Sequence, residues 1–179
     1  MVDPIRELLH DHRELNGLLV ALHESLLRLD RGASIDDELH EIQDGIEAFR
    51  EELFEHFARE QEGLFPFVVA RLPAFRDRAD GLVDEHDRVS KLLTAVVRDL
   101  RTIDDVERTS GERPVSEHHD DPIADRRGAL AAWETSLRRF EELYAAHTKS
   151  ELALLDEVAG ALGTDAGATE QLRALLSEI

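Results

Sequence analysis

The sequence predicts an all-α protein: an antiparallel up-down four-helix bundle over residues 1–160, then a short extra C-terminal helix over 161–179, packed on the bundle or extending from it. Three observations predict this. Apolar residues recur every three or four positions through four long stretches. Capping residues, prolines and glycines bound those stretches, and most connections are short. Strand signals are nearly absent: Val68-Val69 lies beside an aromatic, but the pair is too short to matter.

Each element follows in order. Asp3-Pro4 is a capping side chain followed by a proline at the first helical position. Ile5, Leu8, Leu15, Leu19, Leu22 and Leu26 then keep helical spacing until Asp30-Arg-Gly-Ala. Ser34, with Asp37 three residues on, caps a second helix whose stripe is Ile42, Ile46, Phe49, Leu53 and Leu64. Pro66 and Pro73 bend and then end it. A third helix runs from Arg76 to Ile103, with Leu82, Val83, Val89, Leu93, Val97 and Leu100 on one side. Residues 104–121 read as polar and irregular. Asp121-Pro122 repeats the opening signal, and a long fourth helix follows to Gly160 through Leu130, Trp133, Leu137, Phe140, Leu143, Leu154 and Val158. A short fifth helix spans Asp165 to Glu178.

Composition removes several classes of function. There is no cysteine, hence no disulfide, thiolate metal site, iron–sulfur cluster or cysteine nucleophile. A net charge of -19 argues against nucleic acid and anionic membrane surfaces, both of which call for clustered Lys and Arg. No apolar run approaches the ~20 residues that span a bilayer. The first residues lack the order of a signal peptide, so the expected location is cytoplasmic.

The chemistry lies in the histidines. His12 falls between Leu8 and Leu15, His86 between Leu82 and Val89; His56 continues the line of Phe49 and Leu53, His147 that of Phe140 and Leu143. Each of the four long helices thus turns one histidine inward. His56 and His147 also carry a glutamate four residues on, Glu60 and Glu151, about 6 Å along the same helix face. Nine histidines and 22 glutamates produce roughly one such pair by chance. Three occur. The third, His10 with Glu14, lies among Arg6, Glu7 and Arg13 and reads as a surface pair. His23 and His40 read as structural and exposed, and His118-His119 as a solvated loop. Tyr144, one turn before His147, reads as core packing, with a role as ligand, proton donor or radical site as the alternative.

Internal repetition strengthens the pattern. Asp11-His12 and the residues after it align with Glu85-His86 and those that follow; Phe49, His56, Glu60 and Leu64 align with Phe140, His147, Glu151 and Leu155. Two helical hairpins related by a pseudo-two-fold each supply two histidines and one glutamate. Each of two metals then receives two imidazoles, with both carboxylates bridging. Two divalent cations also remove the cost of unpaired carboxylates in a core, several kcal/mol each.

These residues resemble the hemerythrin-like, or HHE cation-binding, family over about residues 1–160, through His12, His56-x-x-x-Glu60, His86, His147-x-x-x-Glu151 and Leu64-Phe65-Pro66. The resemblance implies a cofactor of two iron ions, bridged by oxo and carboxylate groups, with those six residues as ligands and Glu60 and Glu151 bridging. It also implies a protein that binds or responds to oxygen, peroxide or nitric oxide, with oxidase- or peroxidase-type activity as one form of that response. Nitrogen and oxygen donors also suit Mn or Zn, and iron comes from the resemblance. Oxygen-carrying hemerythrins have a second histidine one turn after the third-helix ligand, where this chain has Ser90; they also end on a more widely spaced aspartate, where it has Glu151. Both departures speak against reversible oxygen carriage. The alternative functions are non-catalytic iron binding or storage, and a partner-binding bundle with a structural metal site.

Overall fold

A computed structural model describes residues 4–31, 34–111, 122–163 and 165–179. The caps Asp3 and Asp121 and the pair His118-His119 lie outside the described residues. Pro4 opens helix α1 (Pro4–Asp30), whose missing N–H costs nothing at a helix start. Helix α2 (Ile35–Ala58) begins on Ser34, whose hydroxyl accepts from the Asp37 N–H at 3.5 Å, as the spacing predicts.

The bend expected near Pro66 is a π-helical turn, Arg59–Leu64, leading into α3 (Phe65–Arg71). Within it the Phe65 N–H donates to the Glu60 carbonyl, five residues back. Pro66 accounts for its place: a proline cannot donate to the carbonyl four residues earlier, and its ring crowds that carbonyl. The wider turn absorbs the misfit. Leu72 leaves helical geometry at φ -130°, as residues before proline do, and Pro73–Phe75 form one 3₁₀ turn.

Helix α4 spans Arg76–Gly111, eight residues past the expected end at Ile103. Polarity does not break a helix: Asp104 to Ser110 hold no proline or glycine. Helix α5 spans Pro122–Leu162 and stops at Gly163, whose φ of +55° is the left-handed cap that glycine adopts most readily. Asp165 caps α6 (Ala166–Leu176) by accepting from the Ala168 N–H at 3.0 Å. Among the described residues there is no strand, so the fold is all-α. No helix among them is long and apolar enough to cross a membrane.

The chain divides into two compact units, Met1–Arg88 with Ala145–Ile179, and Val89–Tyr144. In the first, α1 and α2 form an antiparallel hairpin: Arg28 binds Glu38 near its turn, and His12 meets His56 farther along. The beginning of α4 and the end of α5 pair antiparallel as well, with Arg78 on Glu157 and His86 on His147. An apolar core joins Ile5 and Leu8 of α1, Leu64, Phe65, Phe67 and Val68, Leu154, Leu155 and Val158 of α5, and Ala168, Leu172 and Leu176 of α6. Helix α6 presses on the π-turn so closely that a Cβ at Gly63 would stand 2.6 Å from Leu176 Cδ2. In the second unit Trp133 is buried and donates its indole N–H to the Val96 carbonyl at 2.9 Å. The stripes hold with one clear exception: Val83, expected to face inward, is exposed.

Candidate metal centre

All six expected residues lie in the first unit, and the fold brings them together. His12 comes from α1, His56 from α2, Glu60 from the π-turn, His86 from the first part of α4, and His147 and Glu151 from the last part of α5. None is more than 4% exposed. Two ligand-like groups result, Glu60 with His86, His147 and Glu151, and His12 with His56 and Glu151. In each the two imidazoles stand nearly edge to face, with centroids 4.6 Å apart for His12 and His56 and 4.7 Å for His86 and His147.

The four Nε2 atoms point at the carboxylates. His12 Nε2 lies 3.0 Å from Glu151 Oε2, His147 Nε2 3.3 Å from the same oxygen, and His56 Nε2 3.5 Å from Oε1. His86 Nε2 is 3.1 Å from Glu60 Oε2, and His56 Nε2 3.6 Å from it. The Nδ1 atoms point outward. That of His12 donates to the Leu8 carbonyl at 3.0 Å, that of His56 to Asp11 at 3.4 Å, and that of His147 to Glu85 at 3.1 Å. These acceptors hold the proton on Nδ1 and leave the Nε2 lone pair facing inward. The Gln61 side-chain amide lies 2.9 Å from His86 Nδ1 and can serve either tautomer, because an amide both donates and accepts.

At His86 and His147, Nε2 therefore faces carboxylate oxygen with no hydrogen bond between them, an arrangement that a cation makes attractive; His12 Nε2 stands within hydrogen-bond distance of Glu151 Oε2. The Nε2 atoms of His56, His86 and His147, both Glu60 oxygens and Glu151 Oε1 are buried and have no hydrogen bond of their own among the described residues. Neighbouring ligands of an ion held at roughly 2.1 Å stand roughly 3 Å apart, close to the spacings here. The donor set fits a metal.

Protons can substitute in part. Burial, and then the Glu151 charge, hold the Glu60 carboxyl well above the usual carboxylate range. Burial alone would raise Glu151 too, but the hydrogen bond from His12 and the His147 and His56 rings that face it outweigh burial and hold the group well below its ordinary value. Burial would lower His56, yet its hydrogen bond to Asp11 and the Glu151 carboxylate beside it push it up to about 9. Burial and the neighbouring His147 push His86 down to about 3.

A family model, the hemerythrin HHE cation binding domain, matches residues 3–155. The chain belongs to this family. Comparisons with curated proteins and with solved structures each find no match. Membership together with the buried His/Glu cluster marks a metal-binding site in this hemerythrin HHE domain. The matched span stops short of α6, which begins at Ala166.

The other histidines among the described residues lie at the surface. His10 is exposed and pairs with Glu14 at 3.4 Å, and His23 and His40 are exposed. Tyr144 is buried in the second unit, stacked 5.9 Å from Phe140. Several residues were not foreseen: Asp11 and Glu85 behind His56 and His147, Arg59 on Asp11, Gln61 behind His86, and Phe57, stacked 3.7 Å over the His86 ring. Asp11 and Glu85 left a signal, since each precedes a histidine at equivalent places in the two repeats. On the Asp11 side, an open cavity of about 640 Å³ is lined by Arg6, Glu7, His10, Asp11, Arg13 and Arg59.

Proposed function

We propose that this protein holds two iron ions and uses them to bind or respond to oxygen, peroxide or nitric oxide. His12 and His56 serve one ion, His86 and His147 the other, and Glu60 and Glu151 are shared. The observation that carries the proposal is the convergence of four inward Nε2 atoms on two buried carboxylates, of whose four oxygens only Glu151 Oε2 has a hydrogen bond, from His12. Family membership favours iron over manganese or zinc, which the same donors also suit.

Bound there, iron supplies redox and Lewis-acid chemistry toward small molecules. The chain does the rest. Phe57 and Phe65 wall the His86 ring with apolar surface and limit water at that end. The outward Nδ1 bonds fix each ring, so the donors are preorganised and need no rearrangement to accept a cation.

The first test is metal analysis and an ultraviolet–visible spectrum of protein purified from iron-supplemented cells, where we expect two iron ions per chain. One or none after loading refutes the two-metal centre. The second concerns carriage. Ser90 stands where carriers have an additional imidazole, and a hydroxyl is a poor iron ligand. Reduced, iron-loaded protein is therefore expected to consume oxygen on stopped-flow mixing and not to release it under vacuum. Reversible uptake over repeated cycles would restore the carrier function.

A further inference from the structure

The pseudo-two-fold is broken just outside the six residues. Asp11 and Glu85 occupy equivalent places in the two hairpins, and each accepts from the Nδ1–H of the histidine on its partner helix, His56 or His147. A carboxylate behind a ligating imidazole fixes the ring and makes it a better donor. Glu85 accepts at 3.1 Å. Asp11 accepts at 3.4 Å through Oδ2, the same oxygen that takes a 2.6 Å hydrogen bond from Arg59 Nη1. Ser150, at the repeat position equivalent to Arg59, is uncharged and bonds its own helix at Ala146. Arg59 thus neutralises one of the two supporting carboxylates.

A second observation points the same way. The half containing His86 and His147 gathers four mutually close donors, with Glu60 and Glu151; the half containing His12 and His56 gathers three, with Glu151. Glu60 leans toward the first half, 3.1 Å from His86 against 3.6 Å from His56.

We infer that the two metal positions are unequal and fill in order, the His86–His147 position first, with Asp11 and Glu85 as positioning residues and Arg59 as the group that weakens the second position. This rests on the two-metal centre proposed above.

The test is a titration of metal-free, full-length protein with Zn²⁺, followed by ¹⁵N NMR of the imidazole nitrogens and by calorimetry. His86 and His147 are expected to respond during the first equivalent, His12 and His56 during the second. Glu85→Gln keeps an acceptor of the same size but removes the charge, so it separates electrostatic support from packing; it should weaken the first step about tenfold or more. Arg59→Gln should tighten the second step and bring the two affinities together. His12 and His56 responding first, all four responding together, or both affinities unchanged in Glu85→Gln would overturn the inference while leaving two metals bound. No imidazole response at all would reject the metal centre itself, and the ordering with it.

Discussion

Metal entering the centre must displace protons, and the surroundings of His56 and Glu60 point to where they sit. His56 is pushed up to about 9 by Asp11 and Glu151, so at pH 7 the metal-free protein carries a proton there. His86, pushed down to about 3, is neutral and has no second ring proton to displace. Glu60, held well above the usual carboxylate range, adds a second proton that persists to higher pH than an ordinary glutamate's. Each proton displaced changes metal affinity tenfold per pH unit. For His56 alone, the two units between pH 7 and 9 amount to about 3 kcal/mol, or about a hundredfold in affinity. Affinity should rise with pH, with a slope of at least one through neutrality. Calorimetric Zn²⁺ titrations at pH 7, in buffers of different ionisation enthalpy, should show at least one proton released per chain, and Asp11→Asn should reduce it. Binding heats independent of buffer would refute this reasoning. The metal-free fold has a linked pH dependence. His86 stays neutral down to about pH 3 while the unfolded chain protonates it near 6.5, so its effect is to lower stability as pH falls through that window. The raised His56 acts oppositely, contributing stability that is complete below 6.5 and is lost as pH rises through about 9.

Three further outcomes are expected. His86→Ala and Glu151→Ala should lose metal by elemental analysis while His10→Ala and His40→Ala keep it; metal content that ignores this distinction would reject the site. Leu53→Ala, at a position 0% exposed, should cost about 2–5 kcal/mol in urea unfolding, and Leu27→Ala, 50% exposed, under about 0.5 kcal/mol. Gly63→Ala should cost about 1–3 kcal/mol, because its Cβ must displace the ends of Leu176 and Ile179; unchanged stability would show that α6 does not press on the π-turn.

The helices and the six central residues were legible because both obey short-range periodicity. A histidine between two leucines of a helical stripe must face the core, and a glutamate four residues on must share its face. His10–Glu14 shows the same rule working in reverse: equal spacing on a polar face gave an exposed pair. The outer partners were less legible. Nothing in a spacing rule links Asp11 to His56, 45 residues away, since that contact exists only once the hairpin has formed. Pro66 signalled a disturbance but not its form, because whether a helix kinks or widens by one residue depends on what packs against it. Here that is α6, over Gly63. Val83 shows the limit of a stripe drawn on one helix, whose edge residues become buried only if a neighbour covers them.

The π-turn joins these levels. Glu60 is its second residue and completely buried, and its backbone carbonyl accepts the five-residue bond that defines the turn. Gln61, the next residue, reaches His86, and Arg59, the one before, reaches Asp11. Three consecutive side chains therefore serve three different parts of the centre: one carboxylate at its middle and one support on each half. An unbroken α-helix advances 100° per residue and a π-turn less, so the widened turn alters where each of the three points. The equivalent stretch of α5 runs as ordinary α-helix, with Ser150, Glu151 and Leu152 in those places, and only Glu151 faces the centre. The asymmetry between the two halves thus coincides with one local event in the backbone, the π-turn that precedes Pro66 and packs under α6 at Gly63.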